Sequence, residues 1–120
     1  MPPLALLDTD TLSEIMKGKH PSIEHHAKEY LKTHGRFRIS VITRYEVLRG
    51  LKAKQAARQI AVFEDKCNRS YLYPVTDEIV VQASDVYADL HQEGLLISDA
   101  DILIASTANG ASSHVDHREY

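Results

Sequence analysis

The spacing of apolar and polar positions divides the chain into a regular alternation of short strands and longer helices. Residues 4–7 form a nearly continuous apolar run ending at Asp8, the signature of a strand covered on both faces in a parallel sheet. Thr9, Asp10 and Thr11 supply capping chemistry for a short helix through Ile15 and Met16 that stops near Gly18, and Pro21 suits the first turn of a second helix. Its apolar face is Ile23, Ala27, Tyr30 and Leu31, and it ends near Gly35. Phe37, Ile39 and Val41 alternate with Arg38 and Ser40, so this segment, extended by Ile42, predicts a second strand. Thr43 then caps a helix carrying Glu46, Val47, Leu48 and Leu51, and another helix from about Gln55 carries Ala56, Ile60, Phe63 and Cys67. Residues 71–75 predict a third strand, with Pro74 marking its end or an edge position. Thr76 caps a long helix with a stripe of Ile79, Ala83, Val86, Tyr87 and Leu90 closing at Gly94, and Ser98 or Asp99 caps a last helix holding Ile104, Ala105 and Ala108. Strands that alternate with helices in this way predict an α/β sandwich with a parallel sheet.

A chain of 120 residues and 13.5 kDa with 43% hydrophobic residues has the size and apolar content of one domain with a modest core. We expect that domain to span residues 1–110. Residues 111–120 are polar and lack an apolar period, which predicts a tail after a turn at Asn109-Gly110. The single Cys67 offers neither an internal disulfide nor a thiolate metal site, and no apolar run reaches the roughly 18 residues of a membrane span. A cytoplasmic protein is expected.

Fourteen basic residues against 17 acidic ones give a net charge of -3, so total charge does not mark a nucleic-acid binder. Its distribution is more informative. Between residues 36 and 58 the bases Arg36, Arg38, Arg44, Arg49, Lys52, Lys54 and Arg58 face only Glu46, whereas acids dominate after residue 59. Ligands of open parallel sheets gather at the carboxyl ends of the strands. Asp8 ends the first strand, Glu46 lies one turn into the helix after the second, and Asp99 and Asp101 open the last helix. Carboxylates brought together there repel unless a divalent cation neutralises them. All-oxygen ligation suits Mg2+ or Mn2+, which would activate water for phosphodiester hydrolysis. The basic segment beside Glu46, with Arg44, Arg49 and Lys52, would hold a polyanion. Taken singly, each of these acids is also explained as a helix cap or a first-turn acid.

Three segments together resemble the PIN domain of VapC-type ribonuclease toxins. Residues 6–13, Leu-Leu-Asp-Thr-Asp-Thr-Leu-Ser, resemble its strand-ending motif. Residues 39–50 resemble its second block, in which a strand leads to a helix with Glu46 followed four residues later by Gly50. Residues 99–108, Asp-Ala-Asp-Ile-Leu-Ile-Ala-Ser-Thr-Ala, resemble its final helix start. The resemblance implies a Mg2+- or Mn2+-dependent endoribonuclease acting on RNA, dimeric and restrained by a cognate antitoxin. It implies Asp8, Glu46 and Asp101 as metal ligands, Asp99 as their acidic support, and Thr9 or Thr43 as the group that orients a carboxylate. The family continues beyond this point with further strands, which we expect to be missing or degenerate in residues 111–120. Glu119 or Asp116 would be the candidates for a fourth ligand, and His114, Asp116 and His117 for adventitious metal binding. Two rival readings remain: a phosphotransferase using Asp8 as nucleophile and Asp10 as acid or base, and a catalytically impaired toxin relic that only binds antitoxin or itself.

Overall fold

The computed structural model describes the backbone of residues 5–118 and the side chains of residues 5–110. Three strands, β1 (Leu6–Leu7), β2 (Arg38–Ser40) and β3 (Tyr71–Tyr73), pair in parallel in the order β1-β2-β3. Leu6 and Leu7 stand opposite Arg38 and Ile39, and Arg38, Ile39 and Ser40 opposite Tyr71, Leu72 and Tyr73. The connections are helical, as parallel pairing requires. α1 (Thr9–Lys17) and α2 (Pro21–His34) join β1 to β2, and α3 (Val41–Ala53) and α4 (Ala57–Asn68) join β2 to β3. α5 (Asp77–Gln92) and α6 (Asp99–Arg118) follow. This is the α/β sandwich with a short parallel sheet that the sequence predicts.

The central strand β2 is buried along its whole length, and the main core gathers around it from Leu12, Tyr30, Phe37, Ile39, Val47, Phe63 and Cys67. Ile79, Ala83 and Ile102 are buried where α5 meets α6. Phe63 and Leu12 are wholly enclosed, and full burial of such a side chain contributes ~1.5–3 kcal/mol relative to leaving it exposed. Tyr30 spans the gap between α2 and the sheet, its hydroxyl donating to Ala5 O at 2.9 Å and accepting from Ala5 N at 3.2 Å.

Several boundaries differ from the sequence expectation. Val41 and Ile42 open α3 instead of extending β2, because Ser40, and not Thr43, is the cap: its Oγ accepts from Thr43 N at 3.0 Å. β3 ends at Tyr73, before Pro74. Along α5 only Ile79 and Ala83 of the expected stripe are buried, while Val86 is 38% and Tyr87 52% exposed. On α6 the buried residues are Ile102, Ser106 and Thr107, with Ala105 exposed and Ile104 and Ala108 half-buried. The helix runs through Asn109 and Gly110 to Arg118 instead of turning. A helix already nucleated propagates readily, and one glycine costs only ~1 kcal/mol relative to alanine, too little to stop it. The tail expected at residues 111–120 is thus helical in backbone to Arg118, and the expectations for His114, Asp116, His117 and Glu119 fall outside the described side chains.

Candidate active site at the carboxyl rim of the sheet

The first acidic segment forms where β1 hands over to α1. Asp8 has extended backbone and is the N-cap of α1, its Oδ1 accepting from Thr11 N at 2.7 Å. That bond satisfies an otherwise unpaired amide of the first turn. Thr9 follows, and its Oγ1 donates to Glu46 Oε1 at 2.6 Å. Two segments 37 residues apart in sequence are therefore joined by one short, charge-assisted bond at the rim. Arg49, one turn on from Glu46 along α3, approaches its other oxygen at 3.7 Å while lying over the Tyr45 ring at 5.3 Å.

Of the two threonines expected to orient a carboxylate, Thr9 does so. Thr43 is fully buried, and its Oγ1 accepts from Ser40 Oγ at 3.3 Å, so it belongs to the cap of α3. The third acidic segment stands at the start of α6. There Ser98 is the capping residue, accepting from Asp101 N at 3.1 Å, and Asp99 and Asp101 are both exposed in the first turn.

The described side chains do not show Asp8, Glu46 and Asp101 gathered into one hollow; the link between the first two acidic segments runs through Thr9. Among the described residues no three Asp, Glu, His or Cys side chains are grouped to hold a metal ion. Asp8 is turned onto its own helix and Glu46 onto Thr9, and carboxylates without a counter-ion between them repel. The donor chemistry still discriminates among metals. The available groups are carboxylate oxygens, while the lone thiol, Cys67, is buried and pushed up in pKa by its loss of solvent. Such a set suits a hard dication that takes one or two carboxylates and keeps several waters, and does not suit structural zinc.

The basic residues expected beside Glu46 divide into two groups. Arg44 makes a two-pronged ion pair with Glu64, its Nη2 at 3.2 Å from Oε2 and its Nη1 closer still to Oε1. The hydrogen bond to Glu64 drives the Arg44 pKa further up, and the guanidinium holds the Glu64 carboxyl below its usual range. Arg44 thus ties α3 to α4, and its guanidinium is engaged by Glu64 where the sequence suggests a phosphate contact. A partner 20 residues away could not be read from the motif itself. Arg49 and Lys52 remain exposed on α3.

Fold and site together define an α/β domain with acids presented at the carboxyl ends of parallel strands. A family model described as PIN domain matches residues 5–115, and the chain belongs to that family. It is 31% identical over 96 residues to Ribonuclease VapC1 of Methanocaldococcus jannaschii, an alignment covering 80% of this chain and 68% of that protein. Among solved structures, VapBC2 from Rickettsia felis bound to a DNA fragment from its promoter superposes with a TM-score of 0.71 at 21% identity, covering 85% of this chain and 77% of the other. DNA-bound VapBC from Salmonella typhimurium gives 0.74 at 23% identity, covering 96% and 89%. These two likenesses establish the fold.

Proposed function

We propose that the chain is a VapC-type ribonuclease toxin that hydrolyses RNA phosphodiester bonds with Mg2+ or Mn2+, works as a homodimer and is restrained by a cognate antitoxin. The similarity to Ribonuclease VapC1 supports the activity. The observation that carries the site is the 2.6 Å bond from Thr9 to Glu46, which joins the first two acidic segments at the rim where ligands collect.

Asp8 and Glu46 would hold the ion, with Asp101 as third ligand and Asp99 as acidic support. When bound, the ion supplies charge neutralisation at the phosphate and a more acidic water. Thr9 fixes the carboxylate of Glu46 through one oxygen, and the other lies 3.7 Å from Arg49 Nη2. Arg49 and Lys52, exposed on the same helix, would attract the RNA backbone. Arg49 also offsets the charge of Glu46 in the absence of substrate.

The test is cleavage of a labelled RNA by the purified chain with Mg2+, with Mn2+ and with excess chelator. Asp8→Asn keeps an excellent N-cap while removing the charge, so the variant should fold normally yet lose cleavage. Cleavage that survives Asp8→Asn, or that persists in chelator, overturns the proposal. A second reading, the non-catalytic relic, is favoured by one observation: no three-donor group forms among the described residues. A folded wild-type chain that binds antitoxin but cuts no RNA with either ion would establish it.

A further inference from the structure

The opposite rim of the sheet carries a second concentration of charge that the carboxylate site does not use. Arg38 and Tyr71 open β2 and β3 side by side, and Tyr71 N donates to Phe37 O at 2.8 Å. Two guanidinium groups lie against the Tyr71 ring, that of Arg38 at 4.9 Å and that of Arg36 at 5.4 Å from its centroid. Arg38 is 2% exposed and its Nε donates to Tyr73 Oη at 3.2 Å, so it is a fixed part of the scaffold. Arg36 is exposed and Tyr71 is 42% exposed. Beside this stack a cleft of about 220 Å³ opens between the Gly35 turn and the end of α4, lined by Phe37, Lys66, Arg69 and Ser70. Lys66 lies 5.6 Å from the Phe37 ring centre.

Part of this charge has a local explanation, since α2 and α4 both end here and cations complement helix carboxyl termini. The magnitudes show that it is not the whole explanation. With the buried Arg38 set aside, the cations Arg36, Lys66 and Arg69 remain, and Arg69 pairs with Asp65 at 2.6 Å. Two helix ends contribute only about half a negative charge each, less than the two positive charges that Arg36 and Lys66 bring between them. The Arg69–Asp65 pair is solvent-exposed on both sides, so it yields readily to a competing phosphate and releases a second cation. Exposed cations around a stacked aromatic and a small cleft are what single-stranded nucleic acid requires: phosphates meet the cations, and an unpaired base stacks on a guanidinium or aromatic plane.

We propose that this amino-terminal rim is a second contact for the RNA, with Arg36, Lys66 and Arg69 holding backbone phosphates and the Arg36–Tyr71 stack receiving an unpaired base. The inference rests on RNA as the substrate and extends its path to the edge of the sheet away from the carboxylates. The two rims lie only about 10 Å apart along three strand residues, within the reach of a few nucleotides.

Fluorescence anisotropy of a labelled single-stranded oligouridine with the full chain, in excess chelator and across a salt series, tests it. Arg36→Ala with Arg69→Ala should weaken binding about tenfold and flatten the logarithmic salt slope by about 1.4, near 0.7 for each phosphate no longer neutralised. Tyr71→Leu should weaken binding without changing that slope. Circular dichroism and thermal melting check that each variant is folded. Unchanged affinity and slope in the double variant overturn the proposal, as does displacement of the RNA by polyglutamate at equal charge, which would make the rim a site for an acidic polypeptide. The chelator separates this outcome from the catalytic one. Binding that depends on the rim while no cleavage occurs with either ion leaves this contact standing and removes the nuclease reading, and cleavage with no rim dependence does the reverse.

Discussion

Replacing Thr9 by valine removes the hydroxyl that reaches Glu46 while keeping the shape and branching of the side chain. A hydrogen bond to a charged acceptor contributes ~1.5–3 kcal/mol net. The Glu46 side chain is 18% exposed, so water replaces part of the missing bond, and about 1–2 kcal/mol of destabilisation is expected. Valine at the start of a helix adds at most a few tenths to that figure. The pairwise share comes from a double-mutant cycle of Thr9→Val, Glu46→Gln and the pair, followed by urea unfolding at neutral pH. Glutamine retains an acceptor but loses the charge, so a coupling of ~0.5–1.5 kcal/mol should separate the cycle from additivity. The same Thr9→Val protein should cleave RNA more slowly at saturating ion, because Glu46 is then free to turn away. Additivity within about 0.3 kcal/mol, together with unchanged cleavage, would refute the claim that this bond joins the two acidic segments.

Three further outcomes follow from the packing and polar contacts of the fold. Ser40→Ala should cost about 1 kcal/mol by urea unfolding, since it leaves the buried amide of Thr43 without its acceptor; a change below about 0.3 kcal/mol by the same measure would show that α3 does not depend on this cap. Phe63→Ala, at a side chain with no exposure, should cost ~3–5 kcal/mol and leave a marginally folded chain detectable by thermal melting. Glu64 has its folded pKa lowered by Arg44, so its contribution is present above its unfolded pKa and fades as pH falls through the folded value; Glu64→Gln should flatten the acid side of a melting-temperature profile, with a constant difference from wild type from neutral pH upwards.

The parts of the fold legible in the sequence were those set by strong local chemistry. The apolar run into Asp8, the Pro21 start and the Thr76 cap each fixed an element, and Thr76 Oγ1 does accept from Ile79 N at 3.3 Å. The short apolar run at Val41 and Ile42 reads equally as strand or as helix, and only the Ser40 cap decides between them. Val86 and Tyr87 fit a helical stripe, but burial on α5 stops at Ala83, and that limit is a tertiary fact absent from periodicity. The site shows the same division. The acids and Thr9 were visible as motif positions, whereas the fate of Arg44 depends on Glu64, which becomes its neighbour only once α4 folds back on α3.

The hydroxyl of Tyr30 has a consequence for how this small sheet meets other chains. By engaging both the amide and the carbonyl of Ala5, it withholds from any incoming strand the first backbone rung beside β1. Among the described residues, Leu6 and Leu7 are then the β1 positions left to a strand that adds by template. One phenol therefore shortens the backbone edge open to another strand.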